Sequence, residues 1–161
     1  DYDSRITLVE TTIQANEAQK LGMVKKIVNG LNGSVEGRTI AILGLTFKPN
    51  TDDMREAPSL TILPKLIEAG AEIRAFDPEG TKEGIWRLKA VEDGIVFCKD
   101  EYDAISGADA IVILTEWNQF RNLDFDKIKE ISGGRTLFDL RNIYTREYIE
   151  GKGFIYFGVG R

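Results

Sequence analysis

The chain has 161 residues, 42% of them hydrophobic, with a net charge of −5, a single cysteine and no histidine. That length suits one compact domain, and the cysteine and histidine counts exclude a disulfide framework, a zinc site and histidine-assisted serine or cysteine nucleophiles. Acidic and basic residues are interspersed, which argues against nucleic acid or an anionic membrane surface as partner, and no apolar run is long enough to span a bilayer.

Residues from about Ile6 to Leu31 read as one long helix. Ile6, Val9, Ile13, Leu21, Val24, Val28 and Leu31 recur at three- and four-residue steps, with a polar interruption at Asn16-Glu17. The turn Asn29-Gly-Leu-Asn-Gly33 ends it, and Gly30 or Gly33 suits a left-handed cap. Such a helix could pack on the domain that follows, connect it to another domain, or belong to a dimer. The sequence leaves these open. Asn32-Gly-Ser34 matches a glycosylation sequon, but nothing else suggests secretion, and a lone thiol fits a reducing, cytosolic setting. The start at Asp1-Tyr-Asp-Ser4, with neither Met nor a signal pattern, leads us to expect a piece of a longer protein.

Beyond the helix, strand and helix patterns alternate. Strands are predicted at Thr39–Leu43, Glu72–Phe76, Val96–Cys98, Ala110–Leu114, Thr136–Phe138 and Phe154–Tyr156. Helices are predicted near Pro58–Ala69, Glu79–Lys89, Glu101–Ser106, Asp126–Ile131 and Thr145–Glu150. The fold class is therefore α/β, a Rossmann-like doubly wound parallel sheet of about six strands preceded by one long helix. Pro58 is well placed in a first turn, whereas Pro64 conflicts with a helix interior and predicts a kink or a broken first turn.

The loop Gly44-Leu-Thr-Phe-Lys-Pro-Asn-Thr-Asp-Asp-Met-Arg-Glu-Ala-Pro58 follows the first strand. It should lie at the carboxyl edge of the sheet, where open α/β sheets bind ligands. It lacks the further glycines of a dinucleotide fingerprint, so side chains must supply the charge: Lys48 as a point charge and Arg55 as a planar fork, with Asp53 placed to orient it. An anionic, phosphorylated ligand is one reading; a solvated loop is the other. Thr115-Glu116 and Asp139-Leu-Arg141 reach the same edge, so Lys48, Arg55 and Arg141 each follow a strand. Trp117 and Phe120 are expected to pack beneath the loop. Asp77, before Pro78, fits an ordinary turn former better than a ribose ligand. Cys98, in an apolar run, is expected to be a buried thiol rather than a nucleophile.

The Gly44–Pro58 segment closely resembles the signature of the C-terminal domain of the UDP-glucose/GDP-mannose dehydrogenase family. Ala75-Phe-Asp-Pro78, Leu114-Thr-Glu-Trp117, Phe138-Asp-Leu-Arg141 and Tyr156-Phe-Gly-Val-Gly-Arg161 resemble it too, in the right order. The Asn16-Glu-Ala-Gln19 stretch is similar to the end of the family's central, dimer-forming helical domain. Within the family, the wording from Pro49 to Pro58 is most like that of the bacterial UDP-glucose 6-dehydrogenases.

The resemblance implies residues 1–33 as the end of the central helical dimerisation or connector domain, and 34–161 as the nucleotide-sugar (UDP)-binding domain. It implies a cytoplasmic, homodimeric enzyme that oxidises UDP-glucose to UDP-glucuronate with two NAD⁺. Phe47, Lys48 and Arg141 would contact the nucleotide sugar, and Arg55 would reach toward NAD, itself held mainly by an N-terminal domain. No metal is implied. Neither the family's glycine fingerprint nor its cysteine motif occurs here, and Cys98 matches no family motif. The chain alone is thus expected to bind but not to turn over. Alternatives are another nucleotide sugar, such as UDP-N-acetylhexosamine or GDP-mannose, or a stand-alone nucleotide-binding module.

Overall fold

A computed structural model describes the backbone of residues 2–160 and the side chains of residues 7–160; Ile6, in the helical stripe, and Arg161, in the closing motif, therefore have side chains outside the described residues. The chain opens with helix α1 (Tyr2–Gly30) and then alternates. Strands β1 (Thr39–Leu43), β2 (Glu72–Phe76), β3 (Ile95–Phe97), β4 (Ala110–Ile113), β5 (Thr136–Asp139) and β6 (Ile155–Gly158) are interleaved with helices α2 (Ser59–Glu68), α3 (Thr81–Arg87), α4 (Glu101–Ile105), α5 (Phe125–Ile131) and α6 (Arg146–Gly151). The sheet runs in the order β3-β2-β1-β4-β5-β6, and every pairing is parallel. That is the expected doubly wound sheet, with its switch point between β1 and β4.

Strand β1 shows why both faces are covered. Ile40 and Ile42 enter one apolar cluster with Ile62, Leu63 and Leu66 of α2. Ala41 and Leu43 point the other way, into a second cluster with residues of α4, α5 and α6. A strand buried on both sides needs a continuous apolar run, and its only half-buried residue is Thr39. Because α4, α5 and α6 all sit on the second face, no crossover helix covers the first face over β5 and β6. The end of α1 fills that place. Ile27 and Leu31 join the first cluster with Phe138, and a Cβ added to Gly30 would sit 2.5 Å from the Phe138 ring.

Gly30 is thus required by close packing, not by a left-handed cap. The cap falls on Asn32 and Gly33, at φ 64° and 89°. There the Gly33 amide donates to the Val28 carbonyl at 2.9 Å, closing the last turn. Among the described residues in the first half of α1, Leu8, Val9 and Ile13 are 68%, 59% and 58% exposed. At the polar interruption Asn16-Glu17, Glu17 pairs with Lys20 of the same helix.

At Pro64 the broken first turn, one of the two expected outcomes, is not found. Helix α2 is continuous through it, and the first turn is intact, with Thr61 and Ile62 both donating to the Pro58 carbonyl. Pro64 removes only the bond its nitrogen would give to the Leu60 carbonyl. Leu60 and Pro64 border a surface groove, so water can serve that carbonyl.

The two halves of α1 differ in what they hold. Replacing the fully buried Ile27 with Ala should lower unfolding free energy by about 2–5 kcal/mol in chemical denaturation. Ile13→Ala should stay within about 0.5 kcal/mol, as an exposed site does. Equal losses would mean that α1 is stabilised along its whole length.

Candidate functional site

The β1–α2 connection runs from Gly44 to Pro58, too long for a helix N-terminus to stand directly over a ligand as in a dinucleotide fold. What orders so long a loop is buried polar bonding. Gly44 turns at φ 93°, and a Cβ there would lie 2.5 Å from that of Thr115, so the β1 and β4 loops touch backbone to side chain. Buried Thr115 donates from its hydroxyl to the Thr46 carbonyl at 2.7 Å, and buried Ser59 donates to the Leu45 carbonyl at 2.6 Å. The Phe47 amide donates to the Asp53 carbonyl at 2.9 Å, which closes the tip. Met54 and Ala57 anchor the far side in the first apolar cluster.

Asp77 is the centre of this arrangement. It is 1% exposed. Its Oδ1 accepts from the Glu79 and Gly80 amides at 3.0 and 2.6 Å, the turn expected of an acid before proline. Its Oδ2 accepts from the Leu45 amide at 2.6 Å, the Thr46 amide and hydroxyl at 3.1 Å each, and Trp117 Nε1 at 3.2 Å. One carboxylate therefore ties together the loops after β1, β2 and β4, and it is not available to a ribose. Asp139 plays a similar part after β5: fully buried, it accepts from the Arg141 and Tyr144 amides and the Tyr156 hydroxyl. Sequence reasoning missed both roles. The available signal was an acid immediately after a β-strand, a position that reads equally well as exposed.

On this platform stand the side chains singled out from sequence. Phe47 is 51% exposed. Lys48 is exposed, and among the described residues it forms no ion pair. Arg55 is exposed and makes a two-pronged contact with Asp53, Nε to Oδ1 at 3.1 Å and Nη2 to Oδ2 at 3.0 Å. That hydrogen bonding holds the Asp53 carboxyl well below its usual range, at about 2. Arg141 meets Glu116 across the β4–β5 boundary, Nη2 to Oε1 at 2.9 Å. Partial burial alone would raise the Glu116 carboxyl, but the Arg141 hydrogen bond and charge outweigh it and lower it. Glu116 therefore faces Arg141 rather than Lys48.

Trp117 and Phe120 pack beneath the loops as expected. Cys98 is buried, and burial pushes its thiol up, away from the reactive thiolate. A cleft of about 660 Å³ opens between Asn50–Asp52 of the β1 loop, Pro78–Lys82 after β2, and Trp117. Arg55 borders a separate depression of about 350 Å³ with Glu83 and Arg87 of α3. Phe47, Lys48 and Arg141 line neither. The sheet order brings the β1, β4 and β5 loops side by side, but neither of these two cavities is lined by more than one of the three cations.

Residues 41–146 match the model of the UDP-glucose/GDP-mannose dehydrogenase family, UDP binding domain. The chain belongs to this family. A UDP-glucose 6-dehydrogenase of Rhizobium meliloti is 43% identical over all of this chain and 36% of its own length. One from Pseudomonas aeruginosa is 40% identical over 99% of this chain and 35% of its own. Among solved structures, a UDP-glucose dehydrogenase from Pyrobaculum islandicum superposes with a TM-score of 0.72 at 26% identity, covering 93% of this chain and 31% of that one. The chain thus spans about a third of the length of the curated relatives it matches.

For this member of the family, a Gly44→Ala change combines a left-handed backbone with a clash against Thr115. It should cost roughly 2–5 kcal/mol in a denaturant titration. The Asp53–Arg55 pair makes a pH prediction. A carboxyl lowered on folding contributes stability above its ordinary value of 3.8, and that contribution is lost as pH falls through about 2. A carbon-13 titration of the Asp53 carboxyl should have its midpoint near 2; a midpoint at 3.8 would mean that the pair does not form in solution.

Proposed function

We propose that this chain is the C-terminal, UDP-sugar-binding part of a UDP-glucose 6-dehydrogenase, an NAD-dependent oxidoreductase that converts UDP-glucose to UDP-glucuronate. The observation that carries the reading is the whole-chain likeness to bacterial enzymes of that name. The loop geometry supports it. Phe47 offers an exposed ring and Lys48 an uncommitted cation beside the switch point of the sheet, where a base and a phosphate can be met together. Arg141 would join Lys48 by exchanging Glu116 for a phosphate oxygen, a partner its planar fork fits equally well.

NAD⁺ supplies hydride acceptance. Arg55, already held as a flat, exposed fork by Asp53, is suited to the pyrophosphate of that cofactor, whose main site would lie in an N-terminal domain. The chain would bind without turning over, because Cys98 is buried and raised and no other nucleophile is assigned. Residues 1–33 would be the end of the central helical domain, and 34–161 the UDP-binding domain. The exposed apolar residues Leu8, Val9 and Ile13 suit a helix completed by a homodimer partner or by that central domain. A cytoplasmic setting agrees with the lone reduced thiol.

Calorimetric titration of the chain should favour UDP and UDP-glucose over GDP, and equal or tighter binding of GDP would count against the assignment. Lys48→Ala should weaken UDP binding by about 1.5–3 kcal/mol, as loss of a charged hydrogen bond does. Unchanged affinity would remove Lys48 from the site.

A further inference from the structure

The two oxygens of Asp77 serve different parts of the molecule. Oδ1 is used within its own turn, by the Glu79 and Gly80 amides. Oδ2 is used entirely outside it, by Leu45, Thr46 and Trp117. The Leu45 and Thr46 amides lie immediately before Phe47 and Lys48 in the chain, and among the described residues Asp77 Oδ2 is the acceptor of both. The position of the exposed Phe47-Lys48 pair is therefore set by a carboxylate that a ligand cannot touch.

We propose that Asp77 is a positioning residue of the nucleotide-sugar site: through Oδ2 it fixes the backbone that presents Phe47 and Lys48, and it couples that backbone to Trp117 of the β4 loop. This rests on the UDP-binding reading above. A mobile backbone here would have to be ordered when Phe47 and Lys48 meet a ligand, so preorganisation of this stretch acts on affinity by removing that cost beforehand. The bonds to Oδ2 are charge-assisted and buried, the setting in which they are strongest.

The division of labour makes an asymmetric substitution informative. Asp77→Asn can keep its carbonyl oxygen on the Glu79 and Gly80 amides. Its new amide group then faces the N–H groups of Leu45, Thr46 and Trp117, setting donor against donor. The turn after β2 survives while the β1 loop is released. Ile27→Ala serves as a control, since it weakens the fold from α1, outside the β1 loop and its hydrogen bonds to Asp77.

In UDP titrations of the chain at a temperature where each variant is folded, Asp77→Asn should bind roughly tenfold or more weakly than wild type, whereas Ile27→Ala should match wild type. Amide exchange at Leu45 and Thr46 should accelerate in Asp77→Asn while Gly80 stays protected, and Trp117 emission should shift. Wild-type affinity in Asp77→Asn, or Leu45 and Thr46 amides as protected as before, would overturn the proposal. If Asp77→Asn does not fold, Thr46→Val, which removes only the hydroxyl donor, should still weaken UDP binding about threefold, and unchanged affinity there would overturn it equally. Failure of the wild-type chain to bind UDP would instead overturn the functional reading. The exchange measurement would then still decide whether Oδ2 holds the loop.

Discussion

A carboxylate buried at the carboxyl edge of the sheet must be surrounded by donors, because an unpaired charge there would cost several kcal/mol. Asp77 meets that demand by drawing N–H and O–H groups from three separate loops. The long β1 loop cannot fold back on helix hydrogen bonds, since α2 begins only at Ser59. Its first residues are ordered instead by what Asp77, Thr115 and Ser59 provide. Asp139 repeats the device three strands away, holding the Arg141 and Tyr144 amides. The carboxyl edge is thus a platform of buried acids carrying exposed cations.

The strand order decides which loops share that platform. With β1 between β2 and β4, the chain reverses its direction of travel across the sheet, and the loops after β1 and β4 splay to opposite faces. The same reversal leaves the first face bare over β5 and β6. The end of α1 repairs it through Ile27, Gly30 and Leu31 against Phe138. The helix is therefore two things at once: an integral part of the core at its end, and a stretch farther up with Leu8, Val9 and Ile13 exposed.

The electrostatics of the edge are more balanced than three cations suggest. Arg55 is matched by Asp53 and Arg141 by Glu116, which leaves Lys48 as the uncommitted positive charge among the three. Arginine held in a fork by a neighbouring carboxylate loses less freedom on meeting a second planar anion. Pairs of this kind leave no bare arginine charges at the edge to repel one another.

The sequence by itself determined the strands and helices, their parallel doubly wound class, and the positions of Phe47, Lys48, Arg55 and Arg141 just past strand ends. It could do so because a strand buried on both faces must be apolar throughout and an amphipathic helix must repeat every three to four residues. Those are local constraints, written in consecutive residues. The continuity of α2 through Pro64, the packing role of Gly30, the inward turn of Asp77 and the pairing of Arg141 with Glu116 were decided only by tertiary structure. All but the first depend on a group distant in the chain, and a carboxylate reads the same in sequence whether it faces water or three loops' worth of buried donors.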